Sequence, residues 1–436
     1  MGTWLGVVLV FVVLVLTVPI VPALGVHPVV LLASRGVTTD VRAISSPGAL
    51  SRIPSTAASV TYTLDLCTNH LYSGNALPLY CNVRPLGLAY DSGKGEVFVA
   101  NSGSGTNNVS VISDATNKVI ANIPVGAEPD GVAYDGGKGE VFVANMGSNN
   151  VSVISDASKS VVATIPVGTY PQGVAYDRVK GEVFVANLYS GNVSVISDAS
   201  NTVVATILVG NNPDDVAYDS GKGELFVAKG GLDSSPGSNN VSVISDVNNT
   251  VVATIPVGNY PDGVAYDSGK GEVFVANEFS GNVSVISDVS NTVVATIPVG
   301  AELGGIAYDS GKGEVFVTRW DWNAVSVILD TSNTATSSVT VGAMPTFVAY
   351  VVSNGYVYVS NEHQGTLSII APTPPTNLTT NQTADFLGLP GYDGYILIGP
   401  VSIMLLTIAI TVYVRRKRAP PASVSISQAN LPEKLP

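Results

Sequence analysis

The sequence repeats seven times with a period of about 42 residues, and this period limits the possible folds more than any other feature. The repeat is easiest to follow at the tyrosine of an Ala-Tyr motif, where successive spacings are 44, 42, 42, 48, 42 and 42 residues. Its seven positions are Tyr90, Tyr134, Tyr176, Tyr218, Tyr266, Tyr308 and Tyr350. Periods of this size occur in helical solenoids and in β-propellers, so the pattern inside one unit decides between them.

Each unit contains four short apolar segments separated by turn-forming residues. In the third unit they are GVAYD (173–177), GEVFVAN (181–187), VSVISD (193–198) and VVATI (203–207). Val, Ile, Tyr and Phe favour strands, whereas the intervening Gly, Ser, Asn and Asp favour turns. No unit contains the long i, i+3, i+4 pattern of a solenoid helix. Four strands in each of seven units predict an all-β, seven-bladed β-propeller with four-stranded blades.

The last unit is incomplete, which bears on how the ring closes. It contains only three clear strands, at 346–351, 356–361 and 367–371, before Pro372 begins a polar segment. We expect the missing outer strand to come from the N-terminal side, from residues 60–66 or 76–83. Closure of this kind removes the exposed sheet edges of an open array. The predicted propeller domain therefore spans residues 60–371.

The units resemble the YVTN family of β-propeller repeats, which is found on archaeal and bacterial surface proteins. The resemblance covers residues 86–371 and rests on YVYVSN (356–361), four VFVAN segments and the recurring TIPVG. It implies the propeller fold and a place on the cell surface. It does not imply an activity, because propellers carry many unrelated functions.

Two apolar runs flank the repeats and predict how the chain meets the membrane. Residues 4–18 are typical of a signal peptide, but no Lys or Arg precedes them, so an uncleaved anchor is the alternative. We assign residues 1–25 to this signal or N-terminal anchor and 26–59 to a linker. The run Tyr395–Val414 has 20 uncharged residues, enough to cross a hydrocarbon core of about 30 Å.

The sequence after the second run predicts the orientation. Basic residues occupy 415–418, and such clusters stay in the cytoplasm. We therefore expect a Pro/Thr/Asn-rich stalk at 372–394, one transmembrane helix at 395–414 and a cytoplasmic tail at 415–436. The sequence thus predicts a single-pass cell-membrane protein with its propeller outside the cell.

Charge and cysteine content restrict the partners and the compartment. The net charge of −13 repels polyanions, so no nucleic-acid partner is expected. Cys67 and Cys81 are the only cysteines. In an oxidising exterior they are predicted to form a disulfide, and two buried thiols are the alternative.

Comparison of the units divides the predicted ring into two faces. The loops between strands one and two, and between strands three and four, hardly change; we call their side the uniform face. The loops between strands two and three differ in every unit and contain both length changes, and we call their side the variable face. Functional residues concentrate on variable loops, so the predicted sites for a protein or glycan ligand are Tyr189, Glu278, Phe279, Arg319, Trp320, Trp322 and His363, beside Glu362.

A second candidate site is the mouth of the central channel. The residues expected there are Leu86, Asp130, Gln172, Asp214, Asp262, Gly304 and Thr346, with Asp215 adjoining. Asp130, Asp214 and Asp262 could hold Ca²⁺ through carboxylate oxygens. An aspartate that caps a turn after proline explains the same pattern without a metal. No other cofactor is expected.

Several Asn-x-Ser/Thr sequons are candidate glycosylation sites. Most recur because Asn-Val-Ser belongs to the repeat. The candidates are Asn377 and Asn381 in the stalk, and Asn108 and Asn248 in the propeller.

The motifs do not favour an enzyme. The predicted propeller contains only His70 and His363, and neither has the surroundings of a hydrolytic triad or a metal hydrolase. The repeated GKGE precedes a strand, so it is not a phosphate-binding loop. The sequence therefore predicts a non-catalytic binding, adhesion or cell-envelope module. An exported propeller enzyme, a lyase or a quinone-dependent oxidoreductase acting at the channel mouth, is the alternative.

Overall fold

The computed structural model describes residues 58–76, 82–230 and 239–372. Within these ranges the chain forms seven antiparallel sheets. The innermost strand of each sheet contacts the innermost strand of the next, and the last contacts the first, so the sheets close into a ring. The seven-bladed propeller with four-stranded blades is confirmed.

The strands are numbered in chain order. Ahead of the first blade lie β1 (Val60–Asp65) and β2 (His70–Ser73). Blade one comprises β3 (Pro85–Asp91), β4 (Glu96–Asn101), β5 (Asn108–Ser113) and β6 (Lys118–Pro124). Blade two comprises β7 (Pro129–Asp135), β8 (Glu140–Asn145), β9 (Asn150–Ser155) and β10 (Ser160–Pro166). Blade three comprises β11 (Pro171–Asp177), β12 (Glu182–Asn187), β13 (Asn192–Ser197) and β14 (Thr202–Leu208).

Blade four comprises β15 (Pro213–Asp219), β16 (Glu224–Lys229), β17 (Asn240–Ser245) and β18 (Thr250–Pro256). Blade five comprises β19 (Pro261–Asp267), β20 (Glu272–Asn277), β21 (Asn282–Ser287) and β22 (Thr292–Pro298). Blade six comprises β23 (Leu303–Asp309), β24 (Glu314–Arg319), a 3₁₀ turn (Trp320–Trp322), β25 (Ala324–Leu329) and β26 (Thr334–Thr340). Blade seven begins with β27 (Pro345–Val351), β28 (Tyr356–Asn361) and β29 (Thr366–Ile370).

The N-terminal strand β1 completes blade seven. It pairs with β29 in antiparallel register, from Val60 opposite Ile370 to Asp65 opposite Thr366. The first of the two predicted donors is therefore correct. Strand β2 then pairs with the outer side of β1, so this blade has a fifth strand that the sequence pattern did not predict.

Burial explains the almost continuous apolar runs of the repeat. The second strand of a blade is covered on both faces by neighbouring blades, and all residues of β4 are buried. Outer strands alternate between exposed and less exposed positions, as in β10. The inner strands pack so closely that a Cβ on Gly131 would lie 2.2 Å from the carbonyl oxygen of Gln172 in the next blade. Glycine is required there by close approach of two backbones.

The inner strands begin two residues earlier than the sequence pattern indicated. In blade three the strand starts at Pro171 rather than Gly173, because Pro171 pairs with Asn187 across a bulge that ends at Val174. Proline fits the first position of a strand, where no ladder donor is needed. The residues expected just before the strands are therefore their second residues.

Turns on the uniform face tie each blade to the next. In blade one the carboxylate of Asp91 accepts hydrogen bonds from the backbone N–H groups of Gly93 and Lys94. This arrangement directs the Lys94 ammonium to Asp156 of blade two, 2.6 Å away. The equivalent lysines of blades two to five also reach the equivalent aspartate of the following blade; they are Lys138, Lys180, Lys222 and Lys270. The GKGE lysines lie on hairpin turns, as predicted.

The tyrosine that marks the repeat belongs to the same set of contacts. Tyr90 donates a hydrogen bond of 2.8 Å to Asp114 at the turn between the third and outer strands of its blade. Four further blades repeat this bond, through Tyr134, Tyr176, Tyr218 and Tyr308. Blade seven has no lysine at the turn, and its Ser353 and Asn354 contact Asp114 of blade one instead. The constancy of the uniform face therefore has a structural cause.

Several predicted segments lie outside the described residues: the signal or anchor, nearly all of the linker, all of the stalk beyond Pro372, the apolar run 395–414 and the tail. Among the described residues no helix is long and apolar enough to span a membrane. Cys67 is exposed in the turn between β1 and β2, whereas Cys81 is not described. The disulfide and the transmembrane helix stay predictions.

Candidate binding site

A cavity of about 670 Å³ opens at the variable-face mouth of the central channel. All seven residues expected at the channel mouth line it, one from each blade, and Asp215 is among its walls. Its described carboxylates are Glu128, Asp130, Asp214, Asp215, Asp262, Glu278 and Glu362, and its one described basic residue is Arg84. The volume is within the range of small-molecule sites, which is about 300 to 1,000 Å³.

The repeat builds the rim of this cavity in the same way at each blade junction. The residue before the inner strand adopts a left-handed backbone, with φ of 52° at Glu128 and 59° at Tyr260. Its carbonyl accepts a hydrogen bond from the residue that follows the second strand, such as Met146 to Glu128 and Glu278 to Tyr260, both at 2.8 Å. Two variable positions that flank the first two strands of one blade are thereby brought together at the rim.

The asparagine of the VFVAN segment supports the variable loops. In blade two the Asn145 amide donates to Asn150 and Ser152 at the start of the third strand. Gly126 of the preceding TIPVG-like segment packs on it so closely that a Cβ there would lie 2.7 Å from Asn145. Blades four and six replace this asparagine with Lys229 and Arg319. These are the two blades whose loops differ most, by a six-residue insertion and by the 3₁₀ turn.

Asp130 is the most enclosed carboxylate of the cavity. It is 5% exposed, and its Oδ1 has no hydrogen-bond partner among the described residues. Burial raises its pKa to about 7, and the negative charges of Asp262, Asp215 and Glu362 act in the same direction. A hydrogen bond from Gln172 opposes this shift. The carboxylate titrates near neutral pH as a result.

The aspartates of blades four and five have similar surroundings. Burial, followed by the charge of Asp215, raises the pKa of Asp262 to about 7. Burial and the charges of Asp262 and Asp130 raise the pKa of Asp214. Asp215 occupies the position of the close-packed glycine, and its carboxylate accepts hydrogen bonds from its neighbour Val216 and from Val264 of blade five. These bonds limit the rise of its pKa to about 6.

Glu278 extends the acidic wall toward the rim. Burial raises its pKa to about 8, with contributions from the charges of Asp262 and Glu302. A hydrogen bond with Trp320 of the next blade lowers it again. The predicted residues Glu278 and Trp320 are therefore in direct contact, and both line the cavity.

Aromatic pairs stand at two blade junctions. The Tyr189 ring lies 4.6 Å from that of Tyr170, and Phe279 lies 4.5 Å from Tyr260, between ring centroids. Tyr189 and Phe279 are 61% and 57% exposed, so these rings remain available to a ligand. Tyr170, Tyr260 and Phe279 line the cavity itself, whereas Tyr189 stands outside it.

The remaining predicted residues lie farther out on the same face. Trp322 is 64% exposed, and the Arg319 guanidinium lies 4.8 Å from its ring centroid in a cation–π contact. His363 is exposed beside Glu362, which is buried and forms an ion pair with Arg84. Arg319, Trp322 and His363 do not line the cavity. The predicted ligand-binding set thus divides between cavity and outer rim.

The metal and glycosylation candidates have the following positions. Asp130, Asp214 and Asp262 surround one cavity, yet no group of three or more His, Cys, Asp or Glu among the described residues is arranged to hold a metal ion.

Asn248 is exposed on the uniform face, and Asn108 is half-buried beside Asn101. Asn377 and Asn381 lie outside the described residues. Calcium binding and glycosylation stay predictions.

Sequence reasoning missed the residues that precede the inner strands. Glu128, Tyr170, Tyr260 and Met344 all line the cavity. A signal was present, because this position changes from unit to unit two residues after a constant Val-Gly pair. The position lies outside the loops between strands two and three, which contain both length changes, so its variation is less conspicuous.

The opposite mouth of the channel has a different character. Its cavity of about 900 Å³ is lined mainly by residues that the repeat itself supplies, including Tyr90, Tyr134, Tyr176 and Tyr218. These tyrosines already donate hydrogen bonds within their blades. The variable-face cavity is the one whose lining changes from blade to blade.

Comparison with known proteins supports the fold. No family model and no curated protein matches the chain, so the YVTN resemblance is not confirmed. Among solved structures, the Kuenenia stuttgartiensis hydrazine synthase matches with a TM-score of 0.60 and 18% identity, over 67% of this chain and 97% of that chain. At this identity the similarity establishes the propeller fold alone.

Proposed function

We propose that this chain is a membrane-anchored surface protein whose propeller is a non-catalytic recognition module. The ligand contacts the variable face, where the mouth cavity and its aromatic rim form one continuous site. The proposal rests on one observation: the variable face has exposed aromatic rings around a cavity of the size of small-molecule sites. Aromatic residues dominate the energetics of binding sites.

The contrast between the two faces supports this choice. On the uniform face the tyrosines, aspartates and lysines of the repeat bond to one another, within and between blades. On the variable face Tyr189, Phe279 and Trp322 are more than half exposed. Specialised residues on one face of a repetitive ring are expected when that face meets a ligand.

The path of the chain supports an orientation in which the variable face points away from the membrane. Strand β29 runs from the variable face to the uniform face and ends at Ile370. Pro372 then lies against the uniform-face turn, since a Cβ on Gly355 would be 3.3 Å from its ring. The proposed stalk therefore starts on the uniform face, and the aromatic rim lies on the far side of the ring.

The test uses the full-length protein in detergent micelles against an array of glycans and of surface proteins from its own and neighbouring cells. The double variant Trp320→Ala with Trp322→Ala should lose its bound array members. A matched control on the uniform face is Val289→Ala, since Val289 is 85% exposed there and should leave binding intact. Loss of binding with the control and retention with the tryptophan variant would reverse the assignment of the faces.

A catalytic role at the same cavity is the second candidate. One observation favours it: Asp130, Asp262 and Glu278 have pKa values of about 7, 7 and 8, as general acids and bases require. An exported lyase or quinone-dependent oxidoreductase would lose turnover in Asp130→Asn and Asp262→Asn. A wild-type protein that binds its array ligand and leaves it chemically unchanged supports the recognition module instead.

A further inference from the structure

The mouth cavity is acidic well beyond the composition of the chain. Among its described lining residues, carboxylates outnumber basic side chains by seven to one. The single basic residue, Arg84, is already paired with Glu362. The cavity therefore carries an excess of carboxyl groups, and a cationic ligand would favour their ionised form.

Asp130 is a buried carboxylate on the wall of this cavity. It is only 5% exposed, and its Oδ1 lacks a hydrogen-bond partner among the described residues. A buried carboxylate oxygen without a donor is costly and rare in native proteins. Because Asp130 lines the cavity, a bound ammonium group would supply the missing donor.

The aromatic rings on the rim match the same ligand chemistry. Tyr260 and Phe279 line the cavity with their rings in tilted contact, and Trp320 lies beside Glu278. Ammonium groups are attracted to the faces of such rings within about 6 Å. A small metal ion would not use these surfaces, and no described group of carboxylates is arranged to hold one.

The spread of the carboxylates favours more than one positive group. Asp130 belongs to blade two, Asp214 to blade four, and Asp262 and Glu278 to blade five, so the acids occupy several sides of a cavity of about 670 Å³. A single point charge cannot contact them all, whereas a flexible chain with separated ammonium groups can.

We infer that the variable-face cavity binds an aliphatic di- or polyamine, with one ammonium at Asp130 and another toward Asp262 and Glu278 beneath the aromatic rim. This inference deepens the proposed function and rests on it. In this inference the amine is the small cationic part of what the recognition module binds, and the aromatic rim contacts its methylene groups.

The test is calorimetric titration of the full-length protein in detergent with spermidine, calcium chloride and uncharged triethylene glycol. Spermidine should bind saturably and more tightly than calcium, and the glycol should not bind. Asp130→Asn and Glu278→Gln should each weaken spermidine at least tenfold. The matched control Asp321→Asn removes one charge from an exposed residue of the same face outside the cavity and should change affinity less than twofold.

Three results would overturn the inference. Equal weakening by Asp321→Asn would show that spermidine binds the surface charge and not the cavity. Tighter binding of calcium would assign the site to a hard cation. The protein could also fail to bind spermidine and still bind an array member through Trp320 and Trp322. That result would refute the amine site and would not contradict the proposed recognition module. Thermal unfolding of each variant establishes that it is folded, and the two cavity variants test the site independently.

Discussion

The Lys94 ammonium of blade one lies 2.6 Å from the Asp156 carboxylate of blade two. Asp156 is almost fully buried, whereas the Lys94 side chain is about one-third exposed. The contact joins residues that are 62 positions apart, in the turn after the innermost strand of blade one and the turn after the third strand of blade two. It has counterparts around most of the ring, so the stability of the blade junctions depends on it.

Replacement of this lysine should loosen one blade junction. We expect Lys94→Met to lower the free energy of unfolding by about 1 kcal/mol at low salt and by less at high salt, because the pair is partly solvated. Lys118→Met is the control, since Lys118 is exposed on an outer strand and should change stability little. Thermal unfolding at two salt concentrations measures both. A salt-independent loss would contradict an ionic origin.

The close approach of the inner strands predicts a strong effect of a single methyl group. Gly131→Ala places a Cβ 2.2 Å from the Gln172 carbonyl, so the two strands must separate, at a cost of about 1 to 3 kcal/mol or more. Gly136→Ala is the matched control in the same blade, where the nearest atom is 3.4 Å away and where other blades have serine. Equal melting temperatures of the two variants would contradict the packing described.

Closure of the ring by β1 predicts different effects for two leucines. Leu64 in β1 is fully buried, and Leu64→Ala should cost about 2 to 5 kcal/mol. Leu71 lies half-buried in the added strand β2, and Leu71→Ala should cost clearly less. Denaturant unfolding gives both values. If the cost at Leu71 equals that at Leu64, β2 rather than β1 is the essential closing strand.

The acidic cavity predicts an unusual dependence of stability on pH. The pKa of Asp130 is about 7 in the folded protein, above its ordinary value of 3.8, so the folded state holds this proton more tightly than the unfolded state does. Its contribution to stability is therefore present below about pH 4 and is lost as the pH rises through 7.

The neutral variant isolates this contribution. Asp130→Asn should raise the melting temperature at pH 8 relative to wild type, with a smaller gain at pH 5. Asp262, Asp215 and Glu362 face Asp130 and remain in the variant. The substitution therefore removes only part of the pH dependence of stability. Melting curves at constant ionic strength measure the difference. If Asp130→Asn changed the melting temperature equally at pH 5 and pH 8, the Asp130 carboxylate would not be desolvated in the folded protein.

Much of the fold follows from local sequence because each blade is built from neighbouring segments. Turn residues and β-branched runs specify the four strands, and the spacing of Tyr90 and its equivalents specifies seven units. The three-stranded last unit was enough to require an N-terminal closing strand. The extra strand β2 was not predictable, because His70–Ser73 is short and half exposed and has no counterpart in the repeat.

The site was harder to predict, because it is formed between blades. The seven residues of the channel mouth were predictable because they occupy the same position in each repeat. In a closed ring, equivalent positions surround one opening. Tyr170 and Tyr260 are harder to predict, because each makes a tilted ring contact with an aromatic residue 19 positions later, Tyr189 or Phe279. The raised pKa values depend on carboxylates from different blades, and no local motif contains that information.

The pairing of β1 with β29 has a mechanical consequence. Traction on the stalk would reach the ring at Ile370 and pull β29 along its own length, between β28 on one side and β1 on the other. The hydrogen bonds on both sides are then loaded together instead of opening one after another from a free end. If the proposed stalk anchors the ring, β1 therefore resists extraction of β29 when a ligand on the variable face pulls on the protein.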